Sequence, residues 1–127
     1  MFSAMCHVGV GVSDLERSIR FYTEVLEMNL TARRELPNGT VLAMLSCASG
    51  TEVELIYRKE PGPTAPESIG IGIRHIAFSV PDIDASVSVL KSRGVSFHRE
   101  PAAKPAPMRV AFFRDPDGVD IELVEMG

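Results

Sequence analysis

The sequence predicts an α+β fold, two tandem βαβββ modules whose strands form a curved mixed sheet. Three observations carry that reading. The chain matches itself at one offset, each copy opens on an apolar alternation of strand period, and a capped amphipathic helix follows each alternating run. Sliding the chain by 68 places, the difference between 75 and 7, aligns His7-Val8-Gly9-Val10-Gly11-Val12-Ser13-Asp14-Leu15 with His75-Ile76-Ala77-Phe78-Ser79-Val80-Pro81-Asp82-Ile83. The same ungapped shift carries Ser18 to Ser86, Ile19 to Val87, Ala43 to Ala111, Gly50 to Gly118, and Val53-Glu54-Leu55 to Ile121-Glu122-Leu123. Apolar matches arise easily by chance, whereas two histidines and two glutamates superposed by one offset do not, so the repeat governs how every later motif is read.

Taken in order, residues 6–12 place Val8, Val10 and Val12 on one face, and residues 74–80 do the same with Ile76, Phe78 and Val80, the period of two expected of half-buried strands. Ser13-Asp14-Leu15-Glu16 supplies a helix start of the capping-box type, and Leu15, Ile19, Tyr22 and Leu26 fall along one apolar stripe behind it. In the second copy Asp82 is the expected cap, and Ile83, Val87 and Leu90 repeat the stripe. Gly94 stands where a helix end favours positive φ, and the first helix has Glu27 near that place. Three short strands follow each helix, at about 30–36, 40–47 and 51–58, then at about 95–100, 108–114 and 119–125. Asn38-Gly39 and Asp115-Pro116-Asp117-Gly118 are turn signals between strands.

One domain over 1–127 is expected, with module one at 1–60, a linker at 61–70 around Pro61-Gly62-Pro63 and Pro66, and module two at 71–127. The run Pro101, Pro105 and Pro107 is too interrupted for a strand and reads as a loop over the site. A net charge of −4 with dispersed Lys and Arg leaves no basic stripe to track a phosphate backbone, so nucleic acid is excluded as a partner. The N-terminus lacks a basic segment leading into an apolar run, and no apolar stretch approaches the roughly 20 residues a membrane helix needs. A cytoplasmic protein without membrane contact is therefore expected. Two cysteines, Cys6 and Cys47, suit reduced core thiols better than a disulfide framework.

The chemistry gathers on one face. Residues two apart in a strand share a face, so His7 lies with Gly9 and Gly11, His75 with Ala77 and Ser79, Glu54 with Glu52, Ile56 and Arg58, and Glu122 with Asp120 and Val124. All four groups leave the helix-packed side and sit among small residues. Two such sheets closing on one another bring two imidazoles and two carboxylates together, a donor set for one divalent metal per site, whether Ni, Co, Zn, Mn or Fe. A single strand histidine is ordinarily structural and a single strand glutamate ordinarily solvated; their coincidence at one offset is what favours a metal site. Cys6, one residue from His7, reads as a core thiol on the opposite face, and His98, whose shifted position is Leu30, as a surface residue. Arg33, Arg34, Arg58, Arg109 and Arg114 read as solvated, with Arg58 set apart as a candidate substrate-binding residue because it shares the face of Glu54.

At these residues the chain resembles the vicinal oxygen chelate superfamily of glyoxalases, bleomycin resistance proteins and dioxygenases, and within it the short bacterial type of glyoxalase I, lactoylglutathione lyase. The resemblance rests on His7 and Val12 to Tyr22, on Val53 to Tyr57, on His75 to Val80, and on Asp115 to Gly118 leading into Ile121-Glu122-Leu123. It implies paired βαβββ modules in a homodimer with metal sites formed between subunits, and His7, Glu54, His75 and Glu122 as the ligands. It also implies a small-molecule substrate such as a thiol hemithioacetal, chelated through two neighbouring oxygens. A metal-site glutamate, Glu122 with Glu54 as its counterpart, would move a proton between adjacent carbons through an enediolate. The close bacterial relatives place arginine four residues after the first histidine and asparagine four after the first glutamate for the glutathione portion; here those positions are Gly11 and Arg58. Glutathione itself is therefore not implied. Acyl-CoA epimerases of the superfamily share the enolisation but carry glutamine at the place of Glu54. Ring-cleaving dioxygenases use two histidines and one carboxylate, thiol transferases do without Glu54, and drug-sequestering bleomycin resistance proteins lack the ligand set.

Overall fold

A computed structural model describes residues 1–63 and 71–127 of the chain. It divides into two compact units, Met1–Thr64 and Ala65–Gly127. Among the described residues the first unit holds β1 (His7–Val12), α1 (Leu15–Arg20), a π-helical turn (Phe21–Val25), β2 (Asn29–Glu35), β3 (Val41–Ser46) and β4 (Glu52–Tyr57). The second holds β5 (Ile76–Ser79), α2 (Ile83–Ser92), β6 (Phe97–Arg99), β7 (Met108–Arg114) and β8 (Asp120–Met126). Each unit is βαβββ, and each builds a four-stranded mixed sheet in the same order, β1-β4-β3-β2 and β5-β8-β7-β6. The first strand of each unit runs parallel to the last, and the remaining pairs are antiparallel. Most of the expected linker, 61–70, lies outside the described residues.

The cores follow the alternation. In the first unit Val10, Val12, Ala43, Leu45, Val53 and Leu55 point from the sheet toward Leu15, Ile19 and Tyr22 of the helical segment, and all are buried. In the second, Ala111, Phe113, Ile121 and Leu123 meet Ile83, Val87 and Leu90 of α2. Burying one such aliphatic side chain is worth about 1.5–3 kcal/mol, and these clusters hold each helix to its sheet. The opposite face of each sheet carries Gly9, Gly11, Ala77 and Ser79, all exposed. Asp14 caps α1 and Asp82 caps α2, each Oδ1 accepting from the backbone N–H three residues on, at 3.0 and 2.9 Å. The first cap is thus Asp14, the repeat partner of Asp82.

The two helices differ at their far ends. α2 finishes at Ser92 and Gly94 takes φ +89°, the left-handed end expected of it. The expected stripe through Leu26 breaks, because after Arg20 the chain widens into the π-helical turn; Tyr22 and Met28 are buried while Leu26 is only half-buried. A π turn accommodates one extra residue, so Glu27, thirteen places after its cap, does what Gly94 does twelve places after Asp82: it adopts φ +61°. Glu27 and Gly94 stand 67 apart, and the next strand keeps that offset, Leu30 facing Leu45 as Phe97 faces Phe113, so the shift of 68 returns only by β3.

The two turns form as their sequences require. Gly39 has φ +85° and its N–H donates to Leu36 O at 2.9 Å, and Thr40 N–H donates to the Asn38 side chain at 3.0 Å. Asp115 is buried and its Oδ1 accepts from Asp117 N–H (3.0 Å) and Val119 N–H (2.9 Å), closing the loop ahead of Gly118 at φ +90°.

Candidate metal centre

In the first unit the parallel pairing of β1 and β4 sets Gly9 opposite Glu54, so His7 stands two residues before the position facing the glutamate, on the same open face. In the second, β5 and β8 set Ala77 opposite Glu122, and His75 again stands two residues before it. The repeat therefore reproduces a spatial relationship as well as a sequence one. His75, just ahead of β5, brings Nε2 to 2.8 Å from Glu122 Oε2. Two cis ligands about 2.1 Å from one ion lie about 3 Å apart, so this pair is spaced as two donors to a divalent cation are. Glu122 is half-buried in the sheet while His75 remains accessible. Among the described residues no three His, Cys, Asp or Glu side chains gather closely enough to hold an ion.

The floor of the open face in the first unit is set by its glycines. A Cβ at position 9 would meet Ile56 Cδ1 at 3.2 Å, whereas one at Gly11 would meet nothing within 4 Å. Glu52, beside Glu54 on this face, is occupied by Thr31, whose hydroxyl donates to Oε2 at 2.9 Å. Arg58 is exposed just beyond β4, and no ion pair joins it to another described residue.

Several expectations are corrected here. Cys6 is exposed, and its Sγ lies 3.4 Å from His7 Nδ1 rather than in the core; β1 begins at His7, so strand alternation does not extend back to residue 6. Cys47 is only half-buried, and the Ser49 hydroxyl 3.1 Å from its sulfur holds the thiol below its ordinary range. Arg109 is not solvated. It alternates with Ala111 and Phe113 onto the helix-packed face, where its guanidinium binds both Asp84 oxygens at 2.7 and 2.9 Å and donates to Ala102 O at 2.8 Å. Those bonds to Asp84 hold its carboxyl below the usual carboxylate range. Through Ala102 the proline-rich loop is tied to the helix side of the sheet.

His98 is exposed as expected, yet it has a partner: its Nε2 lies 3.1 Å from Asp120 Oδ1, which also accepts from Arg114 Nε at 3.1 Å. It occupies the irregular step of β6, where Phe97 faces Phe113 and Arg99 faces Phe112, so it is the extra residue of a bulge. Period-two reading from the sequence misses such a residue; the signal available was Asp120, one step along the face from Glu122.

Comparison with known proteins agrees with this architecture. The model of the glyoxalase/bleomycin resistance protein/dioxygenase superfamily matches residues 4–123. The chain is 32% identical to a probable lactoylglutathione lyase of Synechocystis over 123 residues, 95% of this chain and 94% of that protein. It is 37% identical to a lactoylglutathione lyase of Haemophilus influenzae over 124 residues, 94% and 90% of the two chains. The crystal structure of a glyoxalase family protein from Enterococcus faecalis superposes with a TM-score of 0.84 at 25% identity, covering 98% of each chain.

Proposed function

The chain belongs to the glyoxalase/bleomycin resistance protein/dioxygenase superfamily, and from that premise we propose that it is a metal-dependent lyase of the glyoxalase I type. Its substrate in this reading is a small molecule with two adjacent oxygens, such as the hemithioacetal of methylglyoxal and a thiol. The observation that supports it best is the identical His-to-Glu register in both units, with the 2.8 Å approach of His75 to Glu122. His7, Glu54, His75 and Glu122 are the proposed ligands, two imidazoles and two carboxylates that suit Ni, Co, Zn, Mn or Fe. When bound, the metal supplies a Lewis acid for the two substrate oxygens.

The remaining chemistry is that of the side chains. Glu122 is the proposed base: its carboxylate takes the proton from the carbon that carries sulfur and returns it to the neighbouring carbon, converting a hemithioacetal into a thioester without net redox change. Its half-burial in β8 limits the water that competes for that proton. Glu54 is its counterpart in the first unit. Arg58, on the face of Glu54, is the proposed contact for an anionic part of the substrate, and Gly11 leaves open space beside it. A cytoplasmic homodimer completes the reading; among the described residues no helix is long and apolar enough to cross a membrane.

The test begins with metal content of the protein as isolated. Metal-free protein is then supplied with each of the five metals in turn, with methylglyoxal and glutathione, and thioester formation is followed. Metal near one per subunit with turnover supports the proposal in full. Metal without turnover keeps the site and moves the search to other thiols or acyl-CoA epimers. Failure to bind any of the metals overturns the proposal in favour of a sequestering protein.

A further inference from the structure

The open face of the second sheet holds more than a donor pair. Phe112 lies opposite Glu122 in the register of β7 and β8, and the His75 imidazole stands edge-on to its ring, centroids 5.6 Å apart at 90°. The His98 ring lies 5.9 Å from the same ring, tilted by 39°, and the Arg99 guanidinium carbon 5.8 Å from its centroid. His98 is in turn tied to Asp120, which Arg114 also engages. A line of contacts thus runs from Arg114 through Asp120, His98 and Phe112 to His75 and Glu122.

The repeat supplies a control. By strand register the first unit has Ser46, Glu52, Thr31 and Met44 at the places of Arg114, Asp120, His98 and Phe112: Thr31 is the bulge residue between Leu30, opposite Leu45, and Ala32, opposite Met44, as His98 is between Phe97 and Arg99. Among the described residues no aromatic ring packs against His7, while Glu52 accepts from Thr31 as its counterpart Asp120 meets His98. The bulge-to-carboxylate contact is therefore common to both units, and what the second unit adds is the pair of rings, His98 and Phe112, beside His75. The terminal torsion of an imidazole is broad, and the contact with Glu122 holds only Nε2, so a second contact on the ring narrows its direction. An aromatic face, whose quadrupole attracts the positive edge of another ring, does so.

We infer that His98, held by Asp120, is a positioning residue for His75: it fixes the Phe112 ring on which the imidazole stands, and so aims Nε2. The inference rests on the reading of His75 as a metal donor. Groups one layer out from a metal ligand typically change affinity 10–100-fold, although they never touch the ion.

The test is a Co(II) titration by calorimetry and visible absorption of wild type, His98→Ala, His98→Phe, Phe112→Leu and the double variant His98→Ala/Phe112→Leu, each checked for folding by circular dichroism. The His75 ring resonances are followed in the metal-free proteins by NMR. His98→Ala is expected to weaken Co(II) by about tenfold, to alter its visible spectrum and to shift the His75 ring protons. His98→Phe, which keeps a ring against Phe112, restores most of the affinity. The double variant binds no more weakly than Phe112→Leu alone, because His98 acts through Phe112. Unchanged affinity and unchanged His75 resonances in His98→Ala overturn the inference, as do additive losses in the double variant. Absence of Co(II) binding by wild type overturns the metal reading, and the His75 resonances then decide alone whether His98 orients that ring.

Discussion

Ser18 lies in α1, fully buried, and among the described residues its hydroxyl is the buried side-chain oxygen without a hydrogen-bond partner. Replacing it with alanine is therefore expected to stabilise the protein. An unsatisfied buried hydroxyl costs about 1–3 kcal/mol, and alanine in a helix interior adds up to about 0.5 kcal/mol over serine. Against this, the void left by one oxygen subtracts a few tenths of a kcal/mol at about 24 cal/mol per Å³. The net is a gain of about 1–2 kcal/mol, or roughly 3–8 °C in Tm for a chain of this size. Urea denaturation with an unchanged slope, together with calorimetry, reads it. Its repeat partner is the control: Ser86 Oγ donates to Asp82 O at 2.8 Å, so Ser86→Ala forfeits a hydrogen bond and gives no such gain. A Ser18→Ala variant less stable than wild type would refute the reasoning, since it would mean that the hydroxyl is satisfied inside the fold.

Glu122→Gln should leave the fold intact and lower turnover by about 10²-fold or more, as loss of a proton-transfer group does; turnover within a factor of a few of wild type removes Glu122 as the base. Adding the working metal at about 100 times its Kd should raise unfolding free energy by about 2.7 kcal/mol, reversed by a chelator, and a denaturation curve indifferent to metal contradicts a native-state site. Because Arg109 holds the Asp84 carboxyl below its ordinary range, that pair contributes stability that is present above the unfolded carboxylate pKa and lost as pH falls through the lower folded value. Tm measured from pH 7 downward should show wild type above Asp84→Asn at neutral pH and the two converging in acid; parallel curves reject the linkage. Glu27→Gly should stabilise by about 1 kcal/mol, relieving a left-handed backbone that L side chains resist, and a lower Tm would show that the Glu27 side chain outweighs the strain.

The sheets, their strands and the helix faces were legible in the sequence because one offset repeats them and burial enforces the periods of two and 3.6. The common register of the four proposed ligands was legible for the same reason: His7 with Glu54 and His75 with Glu122 keep one spacing on neighbouring strands. What escaped lies where periodicity stops. The π-helical turn is one inserted residue that drops the offset to 67 through β2, so an ungapped shift of 68 sets His98 against Leu30 when its register partner is Thr31. Cys6 precedes its strand, His98 sits in a bulge, and Arg109 obeys the alternation so well that it is carried into the interior, where Asp84, with Ala102 O and Glu125 nearby, makes its charge tolerable.

In each unit the first strand pairs with the last, so Cys6 O already accepts from Glu52 N–H at 3.1 Å where the two begin to run side by side. That pairing closes a loop of about 45 residues, the costliest closure in the unit, whereas the hairpins between closes need only short turns. Order of assembly follows. On loop-closure grounds the antiparallel hairpins are expected to form before the first strand pairs with the last. His7 opens the first strand of its unit and His75 just precedes that of the other, each with its glutamate on the partner strand, so each proposed donor pair comes together only when that pairing forms. Half-built chains leaving the ribosome would thus carry scattered single donors with little hold on any cation, and the capacity to capture one would mark the moment at which folding of that unit is complete.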